Sequence, residues 1–281
     1  MAPDMTERMH GGRESEGPSH ELPEMKDGSG PLQKALYVLD HLALAEKPLR
    51  FAQIMNAMPF PKATLHRLLR TLVEEQALTY DDAAREYAIG MRIIRLAHAA
   101  WRKSSLTDAA RNTLDTLSAR TGQTLHLAIL DGCQVLYLDK RSAVRAVSMY
   151  SSAGKVAPAY CTGVGKAMLS ALTEAQLERA IAIQAFTRFT PTTITDPVLL
   201  REELALSRTR GYAVDNEEHE RDIICVAMPI LSAQNELFGG LSITGSRHYI
   251  DWAELIGFLP ELAKAVAAIA EQAQVMRIAT I

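Results

Sequence analysis

Cysteine is scarce in these 281 residues: Cys133, Cys161 and Cys225 are its only occurrences. They are too few and too scattered for a disulfide framework or a paired-cysteine metal knot. Apolar runs of membrane-spanning length are missing, as is a charged-then-apolar leader, so no bilayer span or export signal is expected and a cytoplasmic location follows. A strong excess of one charge is also missing. The net charge of −3 argues, as a total, against a nucleic-acid partner. What is there is a globular composition, 48% hydrophobic and 22% charged, in a chain long enough for two domains with their own cores. The small total charge hides a segregation. Residues 1–30 hold three Lys/Arg against seven Asp/Glu, residues 31–103 eleven against seven, and residues 104–281 sixteen against nineteen. A basic segment between acidic ones is a modest electrostatic footprint for DNA.

Residues 1–30 are rich in Gly, Ser, Pro, Glu and Met without apolar periodicity, which predicts a disordered tail. From Pro31, the spacing of Leu32, Ala35, Leu36, Leu39 and Leu42 predicts a helix. Phe51, Ile54, Met55 and Met58 mark a short second one, stopped by Pro59. The stretch 61–73 then reads as a two-faced helix. Leu65, Leu68, Leu69 and Leu72 form an apolar stripe, while Lys62, Thr64, His66, Arg67, Arg70 and Thr71 point away from it. Cations and hydroxyls on one helix face suit phosphates and base edges in a major groove, although a solvated surface helix would have the same composition. Two short helices with the second carrying the polar face make a helix-turn-helix pattern. Leu78–Tyr80 and Tyr87–Ile89 predict a hairpin, the wing, with Arg85 as its only cation beside Asp81 and Asp82. A further helix over 91–103 gathers Ile93, Leu96, Ala97, Ala100 and Trp101 on one face with little left in its own domain to cover it. It is the expected linker and dimerisation helix.

Beyond it, helices and strands alternate. Thr107 or Asp108 is the expected cap of a helix ended by Gly122. Thr124–Leu130 and Gln134–Asp139 flank Asp131-Gly132, a hairpin signal, and 147–150 is an expected strand. The loop 160–165 leads into an expected helix over 166–172. Thr173 with Gln176 predicts a capping box, and Asp196-Pro197 start a helix that Gly211 ends. Ile223–Ile230 and Leu237–Thr244 are expected to pair around 232–236, before a helical tail interrupted at Pro260.

Five ordered motifs carry a family resemblance: Phe60-Pro61-Lys62-Ala63-Thr64-Leu65-His66-Arg67-Leu68-Leu69, Ala159-Tyr160-Cys161-Thr162-Gly163-Val164-Gly165-Lys166-Ala167, Gly211-Tyr212-Ala213-Val214-Asp215-Asn216-Glu217-Glu218, Cys225-Val226-Ala227 and Leu241-Ser242-Ile243-Thr244-Gly245. Together they resemble the IclR family of bacterial transcription regulators across nearly the whole chain after Pro31. The resemblance implies an α+β multidomain protein: a winged helix-turn-helix over 31–90, a linker over 91–104, and a GAF-like α/β effector-binding domain over 105–281. It implies double-stranded operator DNA as one partner, a small effector as another, and a homodimer or dimer of dimers. The DNA-contact residues expected from the polar helix face and the wing are Lys62, Thr64, His66, Arg67, Arg70 and Arg85. Effector oxygens are implied at Thr162, Gly163 and Val164, at Asp215 and Cys225, and at the hydroxyls of Ser242 and Thr244, with Met149 and Ala157 lining the apolar part. Pro59 and Ala63 depart from the Gly and Ser common in the family.

The loop 162–165 before a helix offers free backbone N–H groups to a carboxylate; its glycines would equally serve a tight turn alone. The expected effector is a small organic acid or aromatic metabolite. Asp215 would repel it unless protonated or accepting a hydroxyl. A competing class, a sensor or Cys-dependent hydrolase using the winged helix for protein contacts, rests on Cys161, His126 and Asp215 as nucleophile, base and orienter. Nothing in the sequence fixes their distances, and no catalytic residue is expected. His219 with Cys225 lacks a third ligand, so neither a metal nor a cofactor is expected. His66 serves the groove or packs beside the first helix; His41, His98 and His248 read as surface or packing residues. The expected function is an effector-responsive repressor of a catabolic operon.

Overall fold

The computed structural model describes residues 25, 29–45, 47–101, 106–145 and 147–276, and divides into two compact units, 1–99 and 100–281. The expected tail lies outside the described residues except for Met25, Ser29 and Gly30.

In the first unit, α1 (Pro31–Leu44) begins on a proline that gives up no helical hydrogen bond there. Gln33 Oε1 accepts from the Gly30 amide at 2.8 Å. After β1 (Leu49–Arg50), α2 (Phe51–Asn56) repeats the device, with Gln53 accepting from the Arg50 amide. α3 (Lys62–Glu74) follows Pro61 and buries Leu65, Leu68, Leu69 and Leu72. They meet Val38, Leu42, Ile54, Met58 and Phe60 in one core, where each buried leucine contributes roughly 1.5–3 kcal/mol of transfer free energy. β2 (Leu78–Asp81) and β3 (Glu86–Ile89) pair as the wing hairpin, and β1 joins β3 through Leu49 and Tyr87. At two residues β1 is too short to show a period. α4 (Met91–Trp101) lodges half-buried Ile93 against this core and leaves Met91, Ile94 and Leu96 exposed. Arg102 and Lys103, expected to continue it, fall outside the described residues, as do the side chains of His98, Ala100 and Trp101.

The second unit is built on one antiparallel six-stranded sheet, β6-β5-β4-β9-β8-β7. Its strands are β4 (Thr124–Asp131), β5 (Gln134–Arg141), β6 (Val156–Pro158), β7 (Ala213–Asn216), β8 (Ile223–Leu231) and β9 (Leu237–Ser246). α5 (Leu106–Thr121), α9 (Trp252–Gly257) and α10 (Leu259–Val275) share a core with one face of the sheet. α6 (Gly163–Ser170), α7 (Glu174–Ala182) and α8 (Pro197–Arg210) share a core with the other. The caps at Thr173 and Asp196 form as the sequence predicts, and Gly211 ends α8 with φ of +82°.

Several expectations are corrected. Residues 147–150 form no strand; the chain pairs later, at Val156–Pro158 with β5. β7 was not foreseen. Thr107 and Asp108 lie inside the first turn of α5, where Asp108 favours the positive helix end. α6 starts at Gly163, so the expected loop glycines belong to the helix. The helical tail is interrupted beside Pro260 as expected: α9 ends at Gly257 and α10 starts at Leu259, with Pro260 in its first turn, where an amide has no helical partner to lose.

Candidate functional site

On the first unit, His66, Arg67 and Arg70 of α3 line an open groove of about 620 Å³ together with Ala63, Val73, Glu74 and the wing residues Tyr80 and Tyr87. The two tyrosines are 4.6 Å apart between ring centroids. Hairpin alternation could have placed them on one side; their contribution to this groove was not anticipated. Lys62 and Thr64 sit one turn earlier, outside the groove, with the Lys62 Nζ 6.0 Å from the Phe51 ring. His66 stacks on Phe51 of α2 with ring centroids 4.2 Å apart, so one face of its ring is occupied while the side chain stays exposed. Arg70 faces Glu74 at 3.6 Å. Arg85 stands exposed at the wing with φ of +57°, and its amide donates to the Asp81 carbonyl at 2.7 Å. Asp81 Oδ1 accepts the amides of Ala83 and Ala84, so its carboxylate serves the turn.

On the second unit, strand register assembles a polar patch in an otherwise apolar layer. Asp215 pairs with Cys225 and Cys225 with Thr244 across β7, β8 and β9, while His126 on β4 pairs with Ser242 on β9. The N-terminal end of α6 covers them. A Cβ at Gly163 would lie 2.6 Å from Cys225 Sγ, and one at Gly165 would lie 2.4 Å from the Ala159 carbonyl oxygen. Gly163 therefore permits close packing of the helix end on the sheet, at the polar patch, while Gly165 lets the preceding turn fold tightly against the helix. Thr162, the N-cap residue, donates its hydroxyl to the Pro158 carbonyl at 2.9 Å instead of capping α6.

The resulting chamber, partly open to its surroundings, has a volume of about 30 Å³, room for roughly two water molecules. Met149, Thr162, Gly163, Val164, Asp215, Cys225, Ser242 and Thr244 all line it. Ala157, expected from the resemblance, is not among the lining residues; it is buried on β6 in the apolar cluster. His126, Tyr137, Ser151, His219, Glu220 and Ile223 complete the lining. His126 had a signal in sequence, as the one polar residue within an apolar strand. The others arrive from loops and a neighbouring strand with no pattern to join them. A second cavity of about 260 Å³ shares Met149 and Thr244 with the chamber, so these two side chains form part of the wall between them.

Burial sets the protonation states. Desolvation, with Lys140 adding to it, pushes His126 down to about 3. The neutral ring spends Nε2 on the Ser151 hydroxyl at 2.7 Å and Nδ1 on Ser242 and Thr244, each at 3.3 Å. Desolvation, then the nearby Glu218 charge, pushes Asp215 up to about 8. Cys225 is pushed up to about 12 by the same burial and by Asp215, and Cys161 is pushed well above the ordinary thiol range. Neither thiol is poised as a nucleophile, and His126 is committed to hydroxyls rather than to Cys161. His219 packs edge-on against Tyr150 and at a tilt against Phe189. No group of three or more His, Cys, Asp or Glu among the described residues is arranged to hold a metal. Behind the chamber, fully buried Lys166 is ion-paired with Glu218 and lies 3.7 Å from Glu203, which also pairs with Arg210 at 2.7 Å.

Comparison with known proteins gives these features a context. Residues 98–273 match the bacterial transcriptional regulator IclR C-terminal family, and residues 31–82 match the IclR helix-turn-helix domain. The chain belongs to the IclR family. A curated relative, the HTH-type transcriptional regulator XynR of Escherichia coli K12, is 33% identical over 234 residues, covering 83% of this chain and 93% of that protein. The solved IclR of Thermotoga maritima aligns with a TM-score of 0.69 at 28% identity, over 86% of this chain and 98% of its own. An IclR homologue of Microbacterium hydrocarbonoxydans, solved in complex with 4-hydroxybenzoate, aligns with a TM-score of 0.75 at 22% identity, over 88% of this chain and 100% of its own. This IclR-family chain is thus a helix-turn-helix transcriptional regulator, with a DNA-binding N-terminal domain and an IclR-type C-terminal α/β domain. None of its described helices is long and apolar enough to cross a membrane.

Proposed function

We propose that this regulator represses a catabolic operon and is released by a small organic acid or aromatic carboxylate bound in the chamber under α6. The observation that carries the reading is the N terminus of α6, left without a side-chain cap and aimed into a buried pocket lined by hydroxyls. First-turn amides with no helical partner and a positive helix end together favour an anion. Thr162, Gly163 and Val164 would receive the carboxylate, with Ser242, Thr244, Cys225 and Asp215 around its other polar atoms. The 4-hydroxybenzoate bound by the Microbacterium homologue is consistent with such a ligand class. A chamber of about 30 Å³ is too small for an aromatic acid as it stands, and unbranched Met149, in the wall to the larger cavity, is the side chain suited to swing aside.

Operator recognition is assigned to Arg67, Arg70 and His66 in the groove, with Lys62, Thr64 and Arg85 on flanking phosphates. A dimer or dimer of dimers, joined in part through the exposed apolar residues of α4, would present two reading helices to half-sites about 10 base pairs or a multiple apart. Cytoplasmic location accompanies that role. The test is a mobility-shift assay with DNA upstream of the chain's own gene and of its neighbours, repeated with a panel of acids. Retarded DNA that an acid of this class releases supports the reading. Retention that no acid alters, together with calorimetric silence from the folded protein, removes the effector.

A further inference from the structure

We propose that Asp215 meets the effector as a neutral carboxylic acid, donating its proton to an effector oxygen and so making the site selective for an anion. This deepens the effector reading above and rests on it. The geometry is a charge count around a buried carboxyl. Asp215 is buried, and its Oδ1 accepts the Glu218 amide at 2.8 Å. Lys166, the cation closest in effect to Asp215, is committed to Glu218 with Glu203 at 3.7 Å, and Arg210 is committed to Glu203. Two cations thus already face two carboxylates, and an ionised Asp215 would be a third. Glu218 Oε2 is buried with no hydrogen-bond partner, so this cluster is short of donors rather than of acceptors.

Of the remaining groups around Asp215, Lys140 is the one lysine, and the Glu220 carboxylate acts on it by charge. Cys225 from β8, Cys161 from the turn before α6 and Tyr137 from β5 are neutral, each pushed upward by burial. His126 from β4 is neutral as well. His219 and Glu220 come from the turn after β7, and Glu220 raises the Asp215 pKa further while its carboxylate accepts the Tyr150 amide. Lys140 of β5 donates to the Ser151 carbonyl at 2.7 Å. An effector carboxylate drawn to the α6 N terminus would add one more negative charge to this space. A proton on Asp215 removes the repulsion and turns an acceptor into a donor. Burial and the neighbouring Glu218, itself pushed upward by burial, raise the Asp215 carboxyl well above the ordinary aspartate range and favour that proton at neutral pH.

The prediction is a sign. Affinity for a carboxylate is flat up to neutral pH and then weakens, by about tenfold for each pH unit above 8, as one proton must be taken up with each anion bound. The experiment uses the full chain with benzoate and 4-hydroxybenzoate as calorimetric probes from pH 6 to 9.5. Benzoate is ionised throughout, so its trend belongs to the protein. Asp215→Asn, a neutral donor of the same shape, should keep binding and lose the alkaline decline. Affinity that rises with pH, or an Asp215→Asn variant that is folded yet no longer binds, overturns the proposal. A ligand-free arm, an infrared pH titration with labelled aspartate, needs no effector: a protonated carboxyl persisting toward pH 8 in the wild type and missing in Asp215→Asn supports it. Ionisation in the ordinary aspartate range overturns it. Silence from both acids with a protonated Asp215 would instead count against the effector class.

Discussion

His126 and Asp215 both line the chamber under α6, and burial moves their titrations in opposite directions. His126 is held at about 3 against an ordinary 6.5, so its contribution to stability is full above pH 6.5 and is lost as pH falls toward 3. Asp215 is held at about 8 against 3.8; its contribution is full below 3.8 and is lost as pH rises through 8. Between about pH 4 and 6.5 the two slopes oppose each other, and from 6.5 to 8 only the Asp215 decline is left. Thermal melts should therefore show Asp215→Asn flattening the fall between pH 6.5 and 8. His126→Gln should introduce a decline from pH 4 upward that the wild type lacks. At the DNA-binding end, Arg67 is exposed and lines the groove, while Arg70 already faces Glu74. Arg67→Ala is expected to weaken operator binding at least tenfold, about 1.4 kcal/mol and within the range of one good base contact, with benzoate affinity unchanged. A mobility shift showing equal affinity would remove Arg67 from the interface. The residue types of both surfaces were legible in the sequence. The states of His126 and Asp215 were not, because a titration depends on what surrounds the group in space.

At the scale of elements, glycines separate backbone preference from packing. Gly211 ends α8 with φ of +82° and has nothing within 4 Å of a would-be Cβ, so Gly211→Ala should cost only the left-handed conformation, roughly 1–2 kcal/mol. Gly165→Ala would drive a Cβ to 2.4 Å from the Ala159 carbonyl oxygen, and chemical denaturation should show a much larger loss. In α3, Leu65 is fully buried, and Leu65→Ala should destabilise the N-terminal domain by about 2–5 kcal/mol, an effect that denaturant titration followed by far-UV dichroism would measure. Elements with a local signal were readable: the leucine stripe of α3, the Thr173 and Asp196 caps, the turn at Asp131-Gly132. β1, β6 and β7, with two, three and four residues, are too short to show alternation. They exist because a longer neighbour offers free backbone groups. The expected strand at 147–150 did not form: the outer edge of β5 is paired only by Val156–Pro158, later in the chain.

For the molecule as a whole, DNA binding should carry the electrostatic signature of phosphate engagement. The logarithm of the association constant should fall with the logarithm of salt concentration at about 0.9 per phosphate neutralised, and Arg67→Ala or Lys62→Ala should each reduce that slope if its partner is a phosphate. A complex indifferent to salt would favour protein contact instead. The sequence by itself determined two domains, the family, the reading helix with its buried and basic faces, and the order of most helices and strands. All of these follow from local periodicity, caps and ordered motifs along the chain. Only the tertiary structure decided that Ala157 faces the apolar core, that His126, Tyr137 and Ser151 join the chamber, and that Lys166 and Glu218 are paired behind it. Those facts depend on register between strands distant in sequence and on how closely α6 approaches the sheet. The same closeness, made possible by Gly163, withdraws Asp215 from water and so bears on the charge with which it would face a ligand.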